Sequence, residues 1–148
     1  MTFIYRRTVR FRDTDAAGVV YFADTLSMCH EAYEESLAAS GIDLLQFFSN
    51  SMVAVPVVHV EADYLRPAFC GDKHEIRVTP ILKSNAEFEV HYEIYSASGN
   101  ERPVAKALTR HLCINPVNRQ RQPLPPNVLD WLRQWSQPLV ENMELDRI

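Results

Sequence analysis

Glycine is scarce, with four residues in a chain of 148. The sequence holds no glycine-rich phosphate loop and no G-x-S-x-G nucleophile elbow, so nucleotide-loop chemistry and a serine-hydrolase site of that kind are excluded. Cysteine is rare too. Cys29, Cys70 and Cys113 are odd in number, widely spaced and never in a C-x-x-C pair. That pattern argues against a disulfide framework or a zinc ribbon and leaves three reduced thiols. The five histidines, His30, His59, His74, His91 and His111, lack H-E-x-x-H or comparable ligand spacing, so no metal is expected. Positive charge is not in excess: 15 Lys and Arg face 19 Asp and Glu, for a formal charge of -4. A nucleic-acid protein would carry a basic stripe. A small local cluster of cations for an anionic ligand remains compatible with the composition. No apolar run is long enough to cross a bilayer, and "MTFIYRRTVRF" lacks the apolar core of a signal peptide. The expected location is the cytoplasm.

What is present suits one core. Hydrophobic residues make up 47% of the chain, which predicts a single domain over residues 1–148. Phe3, Tyr5, Val9 and Phe11 alternate with polar neighbours, predicting a strand over 3–11. From Phe22 the period changes: Phe22, Leu26, Cys29, Tyr33 and Leu37 form one stripe on a helix of about five turns. Ser40-Gly41 stops it, and a short helical turn follows around Leu44 to Phe48. Four further strands are predicted, over 53–65, 72–82, 86–96 and 102–114. In the third of these, Phe88, Val90, Tyr92 and Ile94 face one way, and Glu87, Glu89, His91 and Glu93 the other. "SASGN" reads as a hairpin turn, and Val128, Trp131, Leu132 and Trp135 mark a short helix at about 126–135. The three connections between the later strands are short enough for hairpins, so the strands should be antiparallel. The fold class is α+β, a five-stranded antiparallel sheet wrapped around one long helix whose apolar face it must cover. Such a sheet has exposed edges, which a dimer would cover.

The most informative stretch is "DTDAAGVVYFADTL", Asp13 to Leu26. Two carboxylates and a glycine occupy a tight connection just before the helix. Gly18 permits positive φ or close approach of a ligand. The first helical N–H groups, near Tyr21 and Phe22, have no intrahelical partner and carry the positive end of the helix dipole. A carbonyl becoming an oxyanion fits there, and a nearby carboxylate could attack that carbonyl or activate a water. Aspartate before a helix is also an ordinary cap, and the residues alone do not separate Asp13 from Asp15. His30 borders the helix stripe and reads as a buried, hydrogen-bonded histidine, with substrate contact as the minority reading. His59 falls on the polar face of its strand with Glu61 and Asp63, and His91 reads as surface.

"DTDAAGVVYFADTL" resembles the signature of the hotdog-fold acyl-CoA thioesterases of the 4-hydroxybenzoyl-CoA thioesterase family, roughly D-x-D-x-x-G-[VI]-V-[YWF]. "DYLRPAFCGD", Asp63 to Asp72, resembles that family's Tyr-x-x-Pro-x-x-x-Gly-Asp segment. The likeness covers about residues 4–115. A narrower likeness, carried by "GVVYF", "MCHEAYE", "VVHV" and the "PLP" at Pro123 to Pro125, is to the thioesterases of 1,4-dihydroxy-2-naphthoyl-CoA in phylloquinone biosynthesis.

The resemblance implies a hotdog fold and hydrolysis of an aromatic acyl-CoA. It assigns Asp15 as the catalytic carboxylate and the Phe22 backbone N–H as the group that polarises the thioester carbonyl. Asp13 becomes a structural acid. Gly18, Val19, Tyr21, His30, Val55, His59 and Lys83 are the implied substrate contacts, with His30 and His59 nominated for a ring hydroxyl and Lys83 for coenzyme A phosphate. Arg66, Arg102, Lys106 and Arg110 are further candidates for the phosphates. No cofactor is implied, because coenzyme A is part of the substrate. The implied assembly is a tetramer built from dimers, with no nucleic-acid or membrane partner. Competing functions are a 4-hydroxybenzoyl-CoA or short-chain thioesterase, an acyl-CoA dehydratase or isomerase, and a non-catalytic acyl-CoA-binding module.

Overall fold

The fold is seen in a computed structural model that describes residues 2–98 and 102–136. β1 (Phe3–Thr8) leads through a single 3₁₀ turn at Phe11–Asp13 and a loop into the long helix α1 (Phe22–Ala39). A short α2 (Leu44–Ser49) follows, then β2 (Val57–Tyr64), β3 (Lys73–Leu82), β4 (Glu87–Ser96), β5 (Ala105–Leu112) and α3 (Pro126–Trp135). The five strands form one sheet in the order β1-β3-β4-β5-β2, with every neighbouring pair antiparallel.

α1 begins where the backbone of Tyr21 is still extended, and no side chain caps it. Asp24 in its first turn suits the positive end of the dipole. The helix ends because Gly41 takes φ +85°, which lets the Ile42 N–H return to the Leu37 carbonyl. One face of the sheet, with Ile76, Val78, Phe88, Val90, Tyr92 and Ile94, packs against Met28, Cys29, Ala32, Tyr33 and Leu37 of α1. α3 completes this core with Val128, Trp131 and Leu132, and its Trp131 indole N–H donates to the buried Ser36 hydroxyl at 2.9 Å. Each large apolar side chain so buried contributes about 2 kcal/mol.

Several expectations need correction. The first strand stops at Thr8, because the chain must turn for Asp13 to meet Arg7. The second begins at Val57 rather than 53. Residues before it meet the end of β5 through single contacts rather than a regular ladder: an Ala54–Ile114 bridge, the Leu112 N–H on the Pro56 carbonyl and the His111 ring on the Val55 carbonyl, with Pro56 lacking a ladder N–H. The connection from β2 to β3 is not a hairpin. β2 pairs with β5 at one edge and β3 lies beside β1, so the chain crosses over to the other side of the sheet. The helix stripe is displaced. Phe22 is exposed and Leu26 half-buried, while Thr25, Met28, Ala32 and Ser36 are buried, since α3 packs on a second side of α1. Glu89, expected to face solvent, is buried under Arg110, His91 and Lys83. The expected "SASGN" turn lies partly outside the described residues, as do residues 137–148 of the single-domain reading.

Candidate active site

The loop between β1 and α1 is a miniature hairpin. The Tyr21 N–H donates to the Asp13 carbonyl at 2.9 Å and the Asp15 N–H to the Val19 carbonyl at 2.9 Å, with Thr14 bridged to Val20. Its tip turns at Gly18, where φ is +80°, a conformation that strains any residue with a side chain. The Val20 N–H fastens this hairpin to the Ala68 carbonyl in the segment after β2. The two aspartates fare differently within it. Asp13 is buried and accepts two bonds from the Arg7 guanidinium, at 2.7 and 3.2 Å, and one from the Arg10 N–H at 2.7 Å. Burial alone would raise its pKa; Arg7 and the Arg10 amide outweigh burial and hold it below the usual carboxylate value. Arg7 also bonds Glu31 of α1 at 3.0 Å, so one guanidinium ties strand, loop and helix together. Asp15 is exposed, and among the described residues its carboxylate accepts only the local Ala17 N–H, at 2.9 Å.

A cleft of about 440 Å³ opens between this loop, the start of α1 and the end of β2. Asp15, Val19, Tyr21 and Phe22 all line it. The N–H groups of Phe22 and Ala23 stand at the uncapped helix start, where intrahelical geometry leaves them no acceptor. Carboxylate and oxyanion donors thus border one largely apolar cavity, the minimum needed for acyl transfer without a serine or cysteine nucleophile. Tyr64 closes one side, and its hydroxyl donates to the Phe22 carbonyl at 2.7 Å, pinning the first turn of α1 to the end of β2.

The other nominated residues do not line this cleft. His30 is not buried; it sits half-exposed on the flank of α1 with Nδ1 3.0 Å from Glu34, one turn along, and its ring edges against Tyr33. Val55 precedes β2, lines a separate cavity of about 250 Å³ beside α2, and accepts a bond from His111 at 3.0 Å. His59 lies on the edge strand β2, 2.8 Å from Glu61. Lys83, at the turn between β3 and β4, points to Glu89 at 4.0 Å, and Arg110 bonds the same carboxylate at 3.3 Å. Among the candidate cations, Arg66 does line the cleft. Tyr64, Thr25, Met28 and His74 also line it and were not singled out from the sequence. For His74 a signal existed: it alternates with Glu75 and Arg77 and shares a face with Ile76 and Val78.

The chain resembles known proteins over most of its length. Residues 9–132 match the Thioesterase-like superfamily. A 1,4-dihydroxy-2-naphthoyl-CoA hydrolase of Acaryochloris marina is 51% identical over 133 residues, which is 90% of this chain and 97% of that one. One from Nostoc punctiforme is 54% identical over 132 residues, 89% and 87% of the two chains. The solved structure of a 1,4-dihydroxy-2-naphthoyl-CoA thioesterase from Synechocystis superposes with a TM-score of 0.86 at 38% identity, covering 93% of this chain and all of that one. An antiparallel sheet packed on one long helix, a carboxylate beside that helix's uncapped start, and this likeness across nearly the whole chain have one reading: the protein belongs to the thioesterase-like superfamily, with the hotdog fold.

Proposed function

We propose that this protein hydrolyses 1,4-dihydroxy-2-naphthoyl-CoA to 1,4-dihydroxy-2-naphthoate and coenzyme A, as a cytoplasmic step of phylloquinone biosynthesis. The observation that carries the reading is the shared cleft: Asp15 and the first N–H groups of α1 border the same apolar cavity. In the proposed reaction the thioester carbonyl accepts from the Phe22 N–H, and negative charge building on its oxygen meets the positive end of α1. Asp15 supplies the carboxylate, by attack on the carbonyl carbon or by taking a proton from the attacking water. Either course puts the oxyanion at Phe22 and expels the coenzyme A thiolate; in the first, water then cleaves the acyl–Asp15 anhydride to release the naphthoate and restore the carboxylate. No cofactor enters this scheme. No helix among the described residues is long and apolar enough to cross a membrane.

The proposal extends to assembly. β2 is an unpaired sheet edge with Val57, Val58 and Val60 exposed, and Tyr64, Leu65 and Phe22 continue the apolar surface to the cleft. A second copy joined there would cover it. In that arrangement Val55 and His59 of one copy belong to the neighbour's site, and the assembly is a tetramer of such dimers. Sedimentation combined with activity measured on dilution tests this: activity should fall as the dimer dissociates, and a fully active monomer would refute it.

The reaction is tested with the pure protein, a thiol reagent and three thioesters. The kcat/KM for 1,4-dihydroxy-2-naphthoyl-CoA should exceed those for 4-hydroxybenzoyl-CoA and palmitoyl-CoA by at least about tenfold. A ratio near one against either competitor leaves only a broad acyl-CoA thioesterase.

A further inference from the structure

Of the five histidines, four have a hydrogen-bond partner: His30 with Glu34, His59 with Glu61, His91 with Glu89, and His111 with both Thr109 and the Val55 carbonyl. His74 is the exception. It is 4% exposed, on the helix-facing side of β3, it lines the cleft that holds Asp15, and its ring has no hydrogen-bond partner among the described residues. Arg66 lines the same cleft. One of its terminal nitrogens donates to the Arg102 carbonyl at 2.6 Å, but its Nε is buried and unpartnered. A buried polar group left without a partner costs about 1–3 kcal/mol, more when charged. The Arg66 Nε is such a group, and the His74 ring lines the same mostly apolar cavity with no protein partner among the described residues, so the two mark a place where a ligand supplies the missing atoms.

We infer that Arg66 and His74 recognise a hydroxyl group on the aromatic ring of the acyl moiety. The inference rests on the thioesterase reading above and concerns the acyl end of the same cleft. A hydroxyl is both acceptor and donor. Its oxygen accepts from the Arg66 Nε–H, and its own hydrogen goes to a ring nitrogen of His74. Burial, together with the charges of Arg7 and Arg66, holds the His74 pKa below its usual 6.5 against the opposing pull of Asp72. The imidazole is therefore neutral at pH 7 and keeps one nitrogen free to accept. In 1,4-dihydroxy-2-naphthoyl-CoA the 1-hydroxyl sits beside the thioester carbonyl and is occupied by it, so the 4-hydroxyl, across the ring, is the group for this pair. A thioester lacking that hydroxyl leaves the buried Arg66 Nε–H unpaired and the His74 ring without a partner. Sites built to bond a hydroxyl reject such analogues strongly.

The experiment compares kcat/KM for 1,4-dihydroxy-2-naphthoyl-CoA and 1-hydroxy-2-naphthoyl-CoA, with circular dichroism and thermal melts as fold checks. The wild type should favour the dihydroxy substrate by about 100-fold or more. His74→Leu and Arg66→Met should each lower that ratio by at least about tenfold, with His74→Gln, which retains a hydrogen-bonding amide, restoring part of it. Should His74→Leu fail to fold, the ratio in Arg66→Met decides. A wild-type ratio near one, or variants that slow both substrates equally, overturns the assignment of this pair while leaving the thioesterase reading intact. Failure of the wild type to cleave either substrate overturns that reading, and this inference with it.

Discussion

Asp13 and Asp15 are two residues apart and stand in opposite surroundings. Asp13 is enclosed by Arg7 and the Arg10 amide, and through Arg7 it is tied to Glu31 of α1. Asp15 has, among the described residues, only the Ala17 N–H and lines a cleft. The difference teaches that a carboxylate's role follows from its partners rather than its place in a motif. One whose lone pairs are taken by an arginine is a structural tie. One whose partners are missing is available to a substrate.

The most forceful way to break the comparison is to neutralise each acid in turn. Asp15→Asn should lower kcat by about 10³-fold or more, because the amide is neither nucleophile nor base, and leave the melting temperature near wild type. Asp13→Asn should do the reverse, costing about 3 kcal/mol in urea unfolding by leaving Arg7 without its buried partner, while activity falls less. Equal activity losses in the two variants would erase the distinction drawn between them.

Acid titration of stability sharpens the contrast. Asp13 is held below its ordinary pKa in the folded state, so its contribution is complete above the unfolded value and is lost as pH falls through the folded one. The acid limb of unfolding below about pH 4 should therefore flatten in Asp13→Asn. A second, milder effect belongs to His111, stacked on Phe88 at 4.7 Å between ring centroids. Its pKa is pushed down to about 4, chiefly by burial and with help from His30, against the bond to Val55. The unfolded chain then binds a proton that the folded one refuses. Stability should fall by up to about 3 kcal/mol as pH drops from 6.5 to 4, and His111→Gln should remove that slope. Urea melts across this range read both effects.

The smallest expected effect is at Tyr64. Tyr64→Phe deletes one exposed hydrogen bond to the Phe22 carbonyl and should reduce kcat/KM about fivefold, or about 1 kcal/mol, through a looser helix start. A loss as large as that of Asp15→Asn would make the hydroxyl itself part of the chemistry.

Much of this was legible in the chain. The helix from Phe22 to Ala39 and its stop at Gly41 followed from a change of period and one glycine. So did β3 and β4 to within a residue or so. Such features are local: periodicity, caps and turn residues act over a few positions. The D-x-D-x-x-G loop was legible for the same reason, since its hydrogen bonds run between residues 13 and 21.

What the sequence by itself determined, then, is the elements, the antiparallel sheet and the loop that carries Asp15. Only the tertiary structure decided which strand lies at which edge, that Arg7 occupies Asp13 and leaves Asp15 free, that Glu89 is buried beneath Arg110, Lys83 and His91, and that His74 and Arg66 open into the cleft with polar atoms unpaired. Arg7 and Asp13 show why. They are near in sequence, yet their pairing takes on its role only when Glu31, 24 residues beyond Arg7, packs beside them. Long-range contacts such as these select among locally equivalent residues, and a one-dimensional pattern carries no record of which carboxylate or imidazole ends without a partner.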